Sequence, residues 1–360
     1  MFYHLLYPLR DYISVLNVFR YISFRSAYAA VTALLISFLL GPIFLRWLRR
    51  RSLTDGAREF VPDSHAVKVG TPTMGGLLIL VATLVPTLLW ARLDNDFVWI
   101  MVVATLWLGA VGFTDDFLKV VRKRRKGLVA RYKLAGQLGL GLAIGLFIYY
   151  SGIVSNATDV QLPFFKDAVL SLGALYVLFV MLTITASSNA VNLTDGLDGL
   201  AIGLVLLCTL TFAGFSYVTG NVRFSDYLNI PYIAGTGELT VYCASLIGAS
   251  LGFLWFNAHP AEVFMGDTGS LAVGGALGTL AVLIRKEIWL VIVGGVFVLV
   301  AASVIIQILS VKLRGRRVFL MSPLHHHFQQ KGWPESKVVV RFWIAGALFA
   351  LLSLSTLKLQ

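Results

Sequence analysis

Long apolar runs separated by short polar segments make up most of the chain from residue 27 onwards. Each run has about 20 residues, the length that an α-helix needs to cross the hydrocarbon core of a bilayer. Ten such runs occur, at residues 27–48, 73–91, 97–114, 134–153, 168–187, 199–219, 238–256, 268–284, 288–310 and 338–357. The pattern predicts one all-α integral membrane domain over residues 1–360 with about ten transmembrane helices, of which the eighth is the shortest.

Composition supports a membrane protein and changes how its charge is interpreted. Hydrophobic residues make up 58% of the chain, the mean hydropathy is +0.80, and 13% of the residues are charged, against about 25% in soluble domains. The net charge of +12 would suggest a nucleic-acid partner in a soluble protein. Here we assign it to loops that flank the spans and expect no nucleic-acid partner. Cys208 and Cys243 lie inside apolar runs, so we expect neither a disulfide framework nor a cysteine zinc site.

The distribution of basic residues predicts the orientation of the runs. Of the 30 lysines and arginines, 20 lie in the segments that follow odd-numbered runs or, in the case of Arg46, at the end of such a run. Since cytoplasmic loops carry an excess of these residues, we expect those segments to face the cytoplasm and both termini to be periplasmic. The first run starts late and ends in several arginines, which is not the pattern of a cleavable signal peptide.

Four polar segments lie at the predicted cytoplasmic ends of the runs. They follow the third, fifth, seventh and ninth runs, at residues 112–116, 189–199, 257–270 and 323–328, and contain five aspartates. Charged side chains close to a membrane interior are costly and usually functional. The candidate chemistry therefore gathers on one face of the membrane.

Asp115 and Asp116 are adjacent carboxylates at the end of the third run. A helix C-terminus already carries negative partial charge, so these two groups need a positive partner. Lys119, one turn further on, is one candidate. A divalent cation is another, and a carboxylate that serves as a base is a third interpretation.

Asp195, Asp198 and Asp267 lie where later runs begin. An aspartate at that place caps a helix well. Helix N-termini also bind phosphate groups, and the glycines beside these aspartates allow a ligand to approach the backbone. Both interpretations remain open for each residue.

The five aspartates, with lysines and histidines on the same face, favour Mg²⁺ and phosphate chemistry, because Mg²⁺ prefers oxygen ligands and shares them with substrate phosphates. A zinc site at His325, His326 and His327 is less favoured, since consecutive residues on one short loop rarely reach one tetrahedral centre. We expect one or two of these histidines to contact phosphate.

The four segments together resemble the polyprenyl-phosphate N-acetylhexosamine-1-phosphate transferase superfamily, over essentially the whole chain. The motifs are Asp115-Asp116, Asn-Leu-Thr-Asp-Gly-Leu-Asp-Gly at 192–199, Phe-Met-Gly-Asp-Thr-Gly-Ser at 264–270, and Pro-Leu-His-His-His-Phe at 323–328 followed by Lys331-Gly332-Trp333. The histidine motif is similar to that of one branch, the bacterial phospho-N-acetylmuramoyl-pentapeptide transferases (translocase I).

This resemblance implies an enzyme of the bacterial inner membrane with its active site on the cytoplasmic face. It would transfer phospho-MurNAc-pentapeptide from UDP-MurNAc-pentapeptide to undecaprenyl phosphate, giving lipid I and UMP in peptidoglycan synthesis. Mg²⁺ would be the cofactor, and membrane lipid and a second copy of the chain would be partners. We favour direct in-line attack over a covalent intermediate on Asp267, because a phosphate oxygen is already a usable nucleophile near neutral pH.

The resemblance also implies roles for individual residues. Asp115, Asp116 and Asp267 would be catalytic, with Asp267 as the main Mg²⁺ ligand, Asp116 as an assisting ligand and Asp115 acting on the polyprenyl phosphate. Asp195, Asp198 and Phe264 would line the uridine end, where Phe264 would stack on uracil. The substrate-binding residues would be Lys68, Lys133, Asn192, Asp195, Asp198, Asn257, Phe264, Gln307, His325 and His326, of which Gln307 is chosen as a lone amide at the end of the ninth run.

The rival class is a secondary transporter for an anionic metabolite, which ten spans and a basic face permit. Transporters place charged residues near the membrane midplane, often in repeated halves, whereas here the acids cluster at one interface and no halves repeat. A structural scaffold would leave the aspartates unexplained. Within the ninth run, Gly294-Gly295 predicts a bend.

Overall fold

The computed structural model describes residues 1–51, 71–124, 127–154, 156–164 and 169–358. Within these residues the chain forms fourteen α-helices and one two-stranded sheet. The helices are α1 (Phe2–Leu6), α2 (Ile22–Arg50), α3 (Gly76–Trp90), α4 (Asp96–Val120), α5 (Ala130–Ser151), α6 (Leu175–Thr194), α7 (Leu200–Thr219), α8 (Val222–Leu228), α9 (Leu239–Asn257), α10 (Gly266–Leu283), α11 (Glu287–Val293), α12 (Gly295–Arg314), α13 (Leu324–Gln330) and α14 (Glu335–Ser355). Short 3₁₀ segments cover Tyr7–Asp11, Ser14–Arg20, Thr236–Glu238 and Thr356–Lys358.

The all-α membrane fold predicted from hydropathy is confirmed. Eight of the described helices are long and apolar enough to cross a membrane, and α3 is a shorter apolar helix. Each of the ten predicted runs corresponds to one of these helices, to α10, or to the pair α11 and α12. The number of spans and the periplasmic side of the termini stay predictions.

Helix α10, which corresponds to the eighth and shortest run, is the centre of the bundle. Every residue from Thr268 to Leu283 is buried. A Cβ atom added to Gly76 of α3 would lie 2.0 Å from the backbone nitrogen of Gly269, so these two helices touch through their backbones. Small residues permit such close approach in membrane proteins. Because α10 is enclosed by protein rather than lipid, it does not need the large apolar side chains that make a run conspicuous.

The ninth run is interrupted where its glycine pair predicted a bend. Helix α11 ends at Val293, Gly294 leaves the helical pattern, and α12 begins at Gly295. The run is therefore two helices, of which the second is long enough to cross a membrane.

A short β-hairpin lies between α5 and α6, and its second strand occupies the start of the fifth predicted run (168–187), where the helix begins only at Leu175. Strand β1 (Asp159–Gln161) pairs antiparallel with β2 (Val169–Ser171). Lys286, which directly precedes α11, donates through Nζ to Oε1 of Gln161 at 3.0 Å. Three-residue strands are too short to produce a recognisable alternation.

The end of the bundle that carries the N-terminus is closed by a buried ion pair. Both terminal nitrogens of Arg25 lie 2.6 Å from the carboxylate oxygens of Glu238, and the side chains are 1% and 7% exposed. The α-amino group of Met1 donates to the carbonyl of Leu88 at 2.9 Å. The C-terminal segment reaches the same end, because α14 runs parallel to α7 and packs against it.

Candidate active site

Three carboxylates meet at the opposite end of the bundle. Asp115 and Asp116 lie near the end of α4, and Asp267 lies in the first turn of α10. The ligand oxygens of this carboxylate cluster lie within 4.8 Å of one another. A Cβ atom at Gly112, one turn before the pair, would lie 2.1 Å from the carbonyl oxygen of Asp267. Glycine at this position therefore lets α4 approach the start of α10.

Asp116 caps helix α10 from the neighbouring helix. Its carboxylate accepts the backbone N–H groups of Asp267 and Thr268 at 3.1 and 2.8 Å, and the Thr268 hydroxyl at 2.6 Å. The first N–H groups of a helix have no partner within the helix, and Met265, the N-cap residue of α10, supplies no side-chain bond. Asp116 therefore takes the capping role that the sequence had offered to Asp267.

Two lysines lie between Asp115 and Asp267. Lys119 contacts Oδ2 of Asp115 and lies 3.2 Å from Oδ2 of Asp267. Lys133, from α5, lies 3.0 Å from Oδ2 of Asp115 and contacts Oδ2 of Asp267. The partnership of Lys119 with Asp115 is the one that the helical spacing predicted. Lys133, predicted to bind substrate, is thus brought directly to the carboxylates.

Asn192 connects α6 to the carboxylate cluster. Its Nδ2 atom donates to Oδ1 of Asp267 at 2.9 Å and to Oγ of Ser270 at 2.8 Å. With the lysines on the other oxygen, both oxygens of Asp267 are oriented. The structure therefore joins four predicted site residues, from α4, α5 and α6, around Asp267 of α10.

A second group, the loop cluster, consists of Asp198, His259 and Glu335. Oδ2 of Asp198 lies 3.1 Å from Nδ1 of His259 and accepts the backbone N–H of Ala261 at 3.2 Å. The backbone N–H of Asp198 donates to Oε1 of Glu335 at 2.8 Å. The sequence analysis included His259 in the polar segment 257–270 without giving it a role, and it did not select Glu335. The available signal for Glu335 was its place in the first turn of the last span, after Pro334.

Asn257 and Phe264 belong to the loop that links α9 to α10. Asn257 is 3% exposed, and its amide accepts the N–H of Gly199 at 3.1 Å and donates to the carbonyl of Val263 at 2.8 Å. Phe264 is half-buried, and its backbone N–H donates to Pro72 at 2.9 Å. Asn257 thus braces the loops. Its contact with substrate and the stacking of Phe264 on uracil stay predictions.

The three consecutive histidines have different surroundings. His325 is fully buried, and a Cβ atom at Gly196 would lie 2.4 Å from its Nε2. Nδ1 of His326 lies 2.8 Å from Oε1 of Gln329, and Nδ1 of His327 accepts the N–H of Leu320 at 3.1 Å. Partial burial, and then the charge of Lys331, lower the pKa of His327. This divergence fits the sequence argument against a three-histidine zinc centre.

Gln307 organises the loop that follows α12. Its side chain accepts the N–H groups of Val318 and Phe319 at 3.1 and 3.0 Å and donates to the carbonyl of Phe319 at 3.0 Å. The predicted contact of Gln307 with substrate stays a prediction. Lys68, the remaining predicted binding residue, lies outside the described residues.

The acidic cluster lies at helix ends of a membrane fold, and residues 98–285 match the model of glycosyl transferase family 4, which identifies the class as a membrane-embedded transferase. Residues 68–80 match phospho-N-acetylmuramoyl-pentapeptide-transferase signature 1. Proteins named phospho-N-acetylmuramoyl-pentapeptide-transferase are 53% identical to this chain in Citrifermentans bemidjiense, 52% in Thermodesulfovibrio yellowstonii and 50% in Desulfotalea psychrophila, and each comparison covers 100% of both chains. The chain belongs to the phospho-N-acetylmuramoyl-pentapeptide-transferase family.

The signature at residues 68–80 contains positions that sequence reasoning overlooked. The backbone N–H groups of Gly75 and Gly76 donate to the carbonyls of Phe264 and Met265 at 2.9 and 2.8 Å. The segment before α3 therefore holds the loop that leads into Asp267. In the sequence, these glycines resemble ordinary small residues at the start of a span.

Proposed function

We propose that the protein transfers the phospho-N-acetylmuramoyl-pentapeptide group from UDP-MurNAc-pentapeptide to undecaprenyl phosphate, with release of UMP. The observation that carries this proposal is the carboxylate cluster, held with two lysines at one end of a membrane-spanning bundle. A soluble, polyanionic substrate and a lipid phosphate can meet only at such a membrane surface. The names of the relatives support the same reaction.

The reaction exchanges one phosphorus–oxygen bond for another. An oxygen of undecaprenyl phosphate attacks the phosphorus that carries the sugar, and the bond from that phosphorus to the UMP oxygen breaks. Asp115, which is fully buried beside both lysines, orients the lipid phosphate and takes its proton where one is present. Lys119 and Lys133 stabilise negative charge on the diphosphate. We favour this direct attack over a phosphoryl-enzyme on Asp267.

The donor set suits the magnesium ion that the family resemblance implies. The three clustered side chains offer only carboxylate oxygens, and Mg²⁺ takes one or two protein carboxylates together with water and phosphate oxygens. Asp267, 16% exposed at its side chain, is the first candidate ligand. Asp116 already accepts three hydrogen bonds, so it could bind the ion only through its remaining lone pairs. When bound, Mg²⁺ would neutralise the diphosphate and the departing UMP.

We further propose that this end of the bundle faces the cytoplasm of a bacterial inner membrane. The basic residues support this orientation, since 20 of the 30 lysines and arginines lie at the end of odd-numbered runs or in the segments after them. Both termini are then periplasmic. The homodimer stays a prediction from the family resemblance.

The purified protein in detergent provides the test. UDP-MurNAc-pentapeptide and undecaprenyl phosphate, with and without Mg²⁺, should give Mg²⁺-dependent UMP and a lipid product in equal amounts. A covalent MurNAc-phosphate adduct on Asp267 in the absence of the lipid would overturn direct attack. Solute flux into liposomes without UMP release would instead identify a transporter, the rival class.

A further inference from the structure

Glu335, the first residue of α14, reaches across the structure to the loop between α6 and α7. Its Oε1 atom accepts the backbone N–H of Asp198 at 2.8 Å, although the two residues are 137 positions apart. The Glu335 side chain is 9% exposed, and Asp198 is 4% exposed. Because this hydrogen bond is made away from bulk water and joins two distant segments, it fixes where the loop lies.

Asp198 in turn contacts the loop between α9 and α10. Its side chain accepts the N–H of Ala261 at 3.2 Å and lies 3.1 Å from Nδ1 of His259. Glu335 thus holds Asp198 through its backbone, and Asp198 holds the loop between α9 and α10 through its carboxylate. Three segments that are distant in the chain are fastened in one arrangement.

Both fastened loops carry residues predicted to bind the nucleotide. Asp195 lies three residues before Asp198, and Phe264 lies three residues after Ala261. The carboxylate cluster is supported differently, by α4, α5, α6 and α10. Loss of the Glu335 bond should therefore disturb the nucleotide end and leave the reacting centre in place.

We propose that Glu335 is a positioning residue for the nucleotide end of the active site, acting through Asp198. The proposal rests on the proposed transferase function and adds a determinant of UDP-substrate affinity to it. Glu335 needs no contact with substrate in this role. What it must supply is a hydrogen-bond acceptor at the distance of a glutamate side chain.

The loop cluster has one competing explanation, which the choice of variants separates. The ligand atoms of Asp198, His259 and Glu335 lie within 4.8 Å of one another, a spacing at which they could hold a metal ion. A metal site would require the negative charge of Glu335. A positioning role requires an acceptor oxygen at the end of a side chain as long as glutamate. Glutamine keeps both the oxygen and the length, whereas aspartate is one methylene shorter.

The experiment compares Glu335→Gln, Glu335→Asp and Glu335→Ala in the UMP-release assay, with both substrates varied. We expect Glu335→Gln to keep the wild-type KM for UDP-MurNAc-pentapeptide within about twofold, because glutamine keeps an acceptor oxygen at the same reach. Glu335→Asp and Glu335→Ala should raise that KM about tenfold. In all three variants kcat should change by less than about threefold, since uniform binding is lost rather than transition-state binding.

Several outcomes would overturn the proposal. If Glu335→Gln is as impaired as Glu335→Ala while Glu335→Asp is normal, the charge matters and not the acceptor. Unchanged KM values in every variant, or a fall in kcat alone, would also reject it. Should Glu335→Ala fail to fold, as judged by gel filtration and thermal unfolding in detergent, the contrast between glutamine and aspartate decides.

The matched control is Glu262→Gln, in the same loop region as Ala261. Glu262 lies at the surface and pairs with Arg49 at 3.4 Å, and both side chains are 55% exposed. The kinetic constants of the Glu262→Gln variant should therefore equal those of the wild type. If the wild-type protein itself releases no UMP, the proposed function fails. If it is active and Glu335→Asp matches it, only the role of Glu335 fails.

Discussion

The two ends of the helical bundle both bury charged side chains, but they balance the charge in different ways. At the end that carries the termini, Arg25 and Glu238 pair one to one, and Glu238 also accepts the backbone N–H of Arg92 at 3.1 Å. At the other end, three carboxylates face two lysines. The first arrangement is electrically complete, and the second has an excess of negative charge.

This difference indicates which end serves stability and which serves chemistry. A buried ion pair is tolerated when each charge has a partner and its remaining hydrogen bonds are made. Like charges brought together disfavour the ionised forms of one another, and a protein gains no stability from that arrangement. An unbalanced acidic cluster is therefore expected where a cation can join it.

The largest effect is expected at the unbalanced end. Asp267→Asn removes the charge from the central carboxylate but keeps its size, so UMP release should fall by at least about 10³-fold. The variant also removes the carboxylate that Lys119 and Lys133 contact, so the thermal unfolding temperature should fall and turnover is compared at equal amounts of folded protein. Turnover close to that of the wild type would refute the central role of Asp267. Glu262→Gln is the control of matched chemistry at an exposed site.

The opposite result is expected at the balanced end. Arg25→Ala leaves Glu238 buried without its partner, which should lower the free energy of unfolding by about 3–5 kcal/mol. The fraction that remains folded should keep the wild-type KM for both substrates. Arg49→Ala breaks the exposed pair with Glu262 and should cost at most about 1 kcal/mol. Equal stability losses for the two arginine variants would contradict the distinction between the ends.

Asn192→Ala sharpens the comparison by loosening the cluster without changing its charge. The variant removes the amide that donates to Asp267 and to Ser270. The value of kcat should fall about 10- to 100-fold, which is the usual effect of removing a group that orients a metal-ligating side chain. Asn189→Ala is the control, since Asn189 lies on the same helix and bonds to Gln137 instead. A kcat equal to that of the control would exclude an orienting role.

The smallest effect is expected at the nucleotide end. Phe264→Ala should raise the KM for UDP-MurNAc-pentapeptide about tenfold and leave kcat nearly constant, because base stacking on an aromatic ring is worth about 1–3 kcal/mol. The measurement is steady-state UMP release at saturating undecaprenyl phosphate. An unchanged KM would remove the stacking prediction and leave Phe264 as a loop residue.

Local patterns in the sequence determined the membrane class and the helices, and they placed the candidate carboxylates at helix ends. Hydropathy predicts spans because a helix that crosses a bilayer needs about 20 mostly apolar residues in one continuous stretch. The pairing of Lys119 with Asp115 follows from the helical repeat, which places residues four apart on one face. The aspartates at the ends of several runs could therefore be selected as candidates before any contact between helices was known.

Contacts between distant segments were decided only by tertiary structure. Asp116 caps a helix that begins about 150 residues later, and Glu335 bonds to Asp198 across 137 residues. Neither pairing leaves a periodic signal, because it depends on how closely backbones pack at positions such as Gly76 and Gly112. The burial of α10 was hidden for the same reason, since a helix surrounded by protein is defined by its neighbours and not by its own hydropathy.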